Sequence, residues 1–211
     1  MARRKKRKLK KKVIILIVLI IILLSLLTGL FIYTKMNRQE GSKKPKVVHE
    51  IPEYGYVLES NKTKLYKDLF KKLAKVLKEE NVDYDEYAKL ISEMAVIDFY
   101  NLDNKTSKND IGGTQFIRKE SADNFILQAS ETVYKYVEQN LDGKRTQDLP
   151  IVTKVDVQDI KNEKYSYKDI KDDNAYVVKV SLEYKKDLGY PKEVETKLLH
   201  TDKKLEIYYM K

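Results

Sequence analysis

Apolar and polar positions fall into three regimes along this chain. Val13–Tyr33 is 21 residues without a charged side chain, almost all Ile, Leu and Val. Between 61 and 140 the apolar positions recur at helical spacing, and between 151 and 210 they alternate. A helix is expected over 61–80: Leu65, Leu69, Leu73 and Val76 form a stripe that Tyr66, Phe70 and Leu77 widen. Lys67, Lys71, Lys75 and Lys78 fill its outer face, and Ser60 or Asn61 can cap its start. A second helix begins at about Tyr84, capped by Asp83, with Tyr87, Leu90, Ile91, Met94, Ala95 and Ile97 apolar. A third is expected from Ala122 to Asn140, with Ser121 as cap, Phe125, Ile126, Ala129, Val133, Tyr136 and Val137 facing inward, and Asp142-Gly143 as its stop. After Pro150 the period changes. Ile151, Thr153, Val155 and Val157 are expected on one face of a strand, Tyr165–Tyr167 forms a short one, and 176–184 is the strongest. Strands over 194–200 and 205–210 flank Thr201–Lys204. Helices followed by an antiparallel run imply an α+β fold, with about three helices packed on a curved antiparallel β-sheet.

The apolar run at the start changes the picture most. At about 1.5 Å per residue it spans about 31 Å as a helix, the thickness of a bilayer's hydrocarbon core. Arg3, Arg4, Lys5, Lys6, Arg7, Lys8, Lys10, Lys11 and Lys12 precede it, with no acidic residue among them. The expected layout is a basic cytoplasmic tail (1–12), a transmembrane helix (13–33), a linker (34–53) and an extracytoplasmic domain (54–211). A cleaved signal peptide would have a shorter apolar core and a small-residue cleavage site, so an uncleaved, single-pass signal anchor is expected. The run holds one glycine, Gly29, so it has no GxxxG face and reads as a simple tether.

The net charge of +10 would suggest a nucleic-acid binder, but nine of the positive charges lie in the tail. The remainder is balanced, with 33 basic and 32 acidic residues. The expected electrostatic partner is therefore the anionic cytoplasmic leaflet, not nucleic acid. With no cysteine, the outer domain must fold on its core alone. The Lys, Ile, Asn and Tyr bias resembles a bacterial composition.

One stretch stands out as a candidate binding loop. From Ile97 to Gly113 the chain turns polar for about a dozen residues and closes on two glycines. Asp98, Tyr100, Asp103, Asn104, Asn109, Asp110, Gly112 and Gly113 are its candidate residues. The alternative is that Asp and Asn make local turns and the glycines take backbone angles that other residues avoid. The spacing does not match a calcium-binding EF-hand loop. No phosphate loop, no HExxH and no G-x-S-x-G motif is present, and His49 and His200 lie far apart in sequence. No enzyme, cofactor or metal is expected.

A single anchor at Val13–Tyr33, helices at 61–80 and 122–140, and strands at 176–184, 194–200 and 205–210 together resemble the NTF2-like (cystatin-like cone) fold. In layout the chain is similar to the VirB8-type components of conjugation and type IV secretion machines. The likeness is one of architecture, and no site residue carries over. It implies a scaffold or protein-interaction domain of a bacterial envelope, with envelope proteins or a second copy as partners. A domain that binds a small molecule or cell-wall fragment is the other reading.

Overall fold

The computed structural model describes residues 19–29 and 45–211, in two compact units, Met1–Lys43 and Lys44–Lys211. In the first unit, residues 19–29 are helical (α1), with their leucines and isoleucines exposed. Ser25 and Thr28 return their hydroxyls to the carbonyls of Ile22 and Leu24, at 2.8 and 2.9 Å. Eleven residues rise about 16 Å. Among the described residues no helix is long and apolar enough to cross a membrane. The basic tail, both ends of the expected span and residues 34–44 of the expected linker lie outside the described residues.

The second unit is α+β, with helices packed against a four-stranded antiparallel sheet. It opens with a hairpin, β1 (Val47–Ile51) and β2 (Tyr56–Glu59), whose first strand falls in the end of the expected linker. The pattern missed it because four of the five β1 residues are exposed, so no alternation shows. Helix α2 (Lys64–Val76) buries Tyr66, Leu69, Phe70 and Leu73 along the expected stripe. Its cap is Thr63, which accepts a 3.2 Å bond from Tyr66 N–H, so the helix starts three residues later than expected.

Helix α3 (Tyr84–Tyr100) is the centre of the unit. Asp83 caps it, accepting from Glu86 N–H at 3.0 Å. From Leu90 onward nearly every residue is buried, because α2 covers one side and the sheet the other. A polar pair stands at the sheet contact: Thr196 Oγ1 lies 2.7 Å from Ser92 Oγ. Two short 3-10 turns follow, Leu102–Asn104 and Thr114–Phe116. Helix α4 (Lys119–Glu131) corrects the third expected helix. It begins before Ser121, which is not its cap, and ends nine residues early. Tyr134 is pulled into the core beyond its end, where its hydroxyl donates to Phe99 O at 2.7 Å. Only Ala129 of α4 is buried; Ile126 is exposed, as is Tyr136 in the turn that follows.

The sheet is a meander of β3 (Val152–Tyr167), β4 (Ile170–Tyr184), β5 (Glu193–Thr201) and β6 (Lys204–Met210). The expected face of 151, 153, 155 and 157 is overturned: Val152 and Val155 are buried and Thr153 is exposed. A register shift between Val152 and Lys154 inserts one residue and flips the parity. Two more shifts lie farther along β3, so the strand bends strongly. Asp172 pins the bend, accepting from His200 N–H at 2.8 Å and Asn174 N–H at 2.9 Å. Tyr165 of β3 thereby meets Tyr208 of β6, with ring centroids 4.6 Å apart. A small second core forms on the sheet's other face around Ala175, Val177 and Leu199.

Candidate functional site

The polar loop after α3 is built around one carboxylate. Asp98 lies in the last turn of α3 and is buried. Its Oδ1 accepts from Lys105 Nζ at 2.8 Å and from Lys62 Nζ at 2.8 Å. Its Oδ2 takes a second bond from Lys62, at 2.9 Å, and the backbone N–H of Gly113, at 2.8 Å. Lys62 also pairs with Glu59 at 3.1 Å, so the cluster joins β2, the start of α2, the end of α3 and the loop. Burial alone would raise the Asp98 pKa, but Lys105 and Lys62 override it and hold the carboxyl well below the usual range. Lys62 is held above its ordinary value: burial lowers it, and Asp98 more than restores it.

The two glycines are there for space and backbone angle. A Cβ on Gly112 would stand 1.9 Å from Asp98 O. Gly113 has φ +77°, and its Cβ would meet Ala95 O at 3.0 Å. Gly112 N–H donates to Tyr134 Oη at 3.0 Å. The loop thus lies directly on α3, with no room for a ligand between them.

The other expected residues do not converge. Tyr100 is buried in edge-to-face contact with Phe99. Asp110 closes a local turn, accepting from Thr106 N–H at 2.8 Å and from its hydroxyl at 3.1 Å. Asn104 Nδ2 donates to Asn61 O at 3.3 Å, while Asp103 and Asn109 are exposed. Arg145 Nη atoms bind the carbonyls of Lys105 at 2.8 Å and Asp103 at 2.6 Å and secure the far side. Among the described residues no group of three or more His, Cys, Asp or Glu could hold a metal ion. The basic residues from Arg3 to Lys12 lie outside the described residues.

A concave feature with an apolar floor lies elsewhere. A groove of about 610 Å³ runs between the β1–β2 hairpin and α2. Its floor is Ile51, Tyr54, Leu58, Phe70, Ala74 and Leu77. Its rim carries both signs, with Glu50, Glu53, Glu79 and Glu80 against Lys71, Lys78 and Lys203. None of the eight expected loop residues lines it. Sequence reasoning missed the groove because its β1 side, from His49 to Glu53, falls in the stretch expected to be linker. It missed Lys62 and Lys105 because they sit among many lysines. The one signal for Lys105 was its place in the loop, seven residues after Asp98.

No family model, no curated protein and no solved structure matches this chain.

Proposed function

We propose that this protein is a single-pass, membrane-anchored scaffold whose extracytoplasmic domain binds protein partners at a bacterial envelope. It is not an enzyme on this reading. The apolar run and basic tail support the anchor and its orientation. The helix-then-meander order and the bent sheet support an NTF2-like layout of the VirB8 type, and with it a place in a secretion or conjugation assembly.

The observation that carries the reading is the groove between the hairpin and α2. An apolar floor containing Tyr54 and Phe70, inside a rim of seven charged residues, has the anatomy of a protein interface: an apolar centre and a polar margin. The loop is folded onto Asp98, which favours the groove over the loop as the binding surface. A second reading keeps one specific support: about 610 Å³ also falls within the range of small-molecule pockets.

Crosslinking full-length protein in its native membranes, followed by capture and quantification, tests the reading. One or a few envelope proteins at near-equal amounts are expected. Recovery of the bait alone with several crosslinkers, together with saturable binding of a small molecule or wall fragment, would replace it with the second reading.

A further inference from the structure

Strand edges in the folded unit are closed in turn. Gln115 occupies the free edge of β2, accepting from Val57 N–H at 2.9 Å and donating to Val57 O at 3.2 Å, as a neighbouring strand would. Tyr87 and Tyr56 hydroxyls hold the N–H and C=O of Leu205 on β6, each at 3.3 Å. Arg118 N–H donates to Ile207 O at 2.8 Å. On β3 three register shifts spoil the edge. The outer edge of β1 is the exception: among the described residues it has no backbone partner beyond β2. It also presents Val47 and Val48, 47% and 43% exposed.

We propose that β1 is an interface with a second copy of this chain, the two β1 strands lying antiparallel about a two-fold axis at Val48. The charge pattern selects this occupant. In that register Lys46 stands opposite Glu50 of the other copy, twice over, and Val47 stands opposite His49. Lys46 and Glu50 are exposed and form no salt bridge among the described residues. Opposite charges across paired strands are favourable and like charges unfavourable. A two-fold contact requires this self-complementarity within one patch.

The register shift between Val47 and His49 limits regular pairing to a few residues. The contact is therefore far smaller than the roughly 1,600 Å² of a stable interface. It depends on the raised local concentration of chains held in one membrane, and so rests on the anchored-scaffold reading.

The chain has no cysteine, so Val48→Cys introduces a single thiol. Directly paired strand positions bring Cβ atoms to about 4.5–5.5 Å, closest in non-hydrogen-bonded pairs, so a small shift at the strand edge reaches the roughly 3.5–4.5 Å at which mild oxidation joins two thiols. Full-length Val48→Cys in membranes is expected to form a disulfide dimer. Leu127→Cys, exposed on α4, is the control and is expected to stay largely monomeric. Adding Lys46→Glu or Glu50→Lys to Val48→Cys is expected to cut the dimer about tenfold. Co-expressing the two reversed chains with different tags is expected to restore a mixed dimer, since every facing pair is then opposite in charge. A Val48→Cys yield no higher than the control, or a dimer indifferent to the charge reversals, would overturn the proposal. Loss of this dimer on Lys46→Glu, a residue outside the groove lining, with partner capture intact would leave the groove reading standing. Loss of capture with the dimer intact would do the reverse.

Discussion

Lys105 Nζ lies 2.8 Å from Asp98 Oδ1, and both side chains are almost completely buried. The pair folds a polar loop back onto the helix it leaves. A stretch whose composition suggests a ligand-binding loop is held in place by the protein's own charges. Asp98 has no oxygen to spare, because Lys62, Lys105 and Gly113 N–H use both.

Asp98→Asn leaves Lys105 buried without its counter-charge and Lys62 with Glu59 alone. Breaking a buried pair in this way costs about 3–5 kcal/mol. Urea unfolding of the segment 45–211 should show that loss with little change in the slope. The lowered pKa fixes the pH dependence. The stabilisation is present above the unfolded carboxyl pKa and is lost as pH falls through the lower folded value. The Asn variant should therefore show a smaller acid-side fall in stability below about pH 4 than the parent, with Asp172 still contributing to what remains.

Gly112→Ala places a methyl group against the backbone of Asp98, which cannot move without unwinding the end of α3. A loss of about 3 kcal/mol is expected, at the upper end of overpacking costs. Amide exchange should rise first at 98–113. A variant as stable as the parent would show that the loop does not lie on the helix as described.

Glu93 supplies an opposite pH signature. Burial raises its pKa to about 7; Lys72 and Lys89 oppose the rise, and Glu86 and Asp156 add to it. Because the folded-state value is above the unfolded one, its contribution is complete below about pH 4.5 and is lost as pH rises through about 7. About 2 kcal/mol should disappear across that window. Glu93→Gln should flatten the alkaline side of the stability profile and leave the acid side unchanged.

Tyr165 and Tyr208 join the two outside strands of the sheet across its bend. Removing one ring of such an aromatic pair costs about 1 kcal/mol beyond lost burial. Tyr165→Ala should speed amide exchange in the β3–β4 hairpin at 163–175 and leave α3 protected.

The sequence made the helices and the meander legible because their apolar positions keep a clean period. Leu69 and Leu73 at helical spacing, and Val178, Val180 and Leu182 at a spacing of two, are all buried as their patterns require, and Leu65 at the start of α2 is half-buried. Where the period breaks, the reading fails for identifiable reasons. A single inserted residue at the start of β3 exchanged the faces of Val152 and Thr153. Tyr134 drew the chain off the axis of α4 through its bond to Phe99 O. The β1 strand is exposed on both sides, so it carries no alternation. Asp98 and Gly113 lie in one stretch of sequence and are in hydrogen-bond contact, with Gly112 packed on the Asp98 backbone. Their partners Lys62 and Tyr134 come from 36 residues before Asp98 and 22 after Gly112, separations that no local pattern encodes.

The most direct test of the account is capture from native membranes with wild-type protein and with Ala74→Arg, which fills the groove floor while keeping a good helix former in α2. Both should fold alike by circular dichroism. The account predicts that wild-type protein recovers one or a few envelope proteins in near-equal amounts and that Ala74→Arg loses them at least tenfold. Equal recovery by both would contradict the groove as the binding surface, and recovery of neither would contradict the scaffold reading itself.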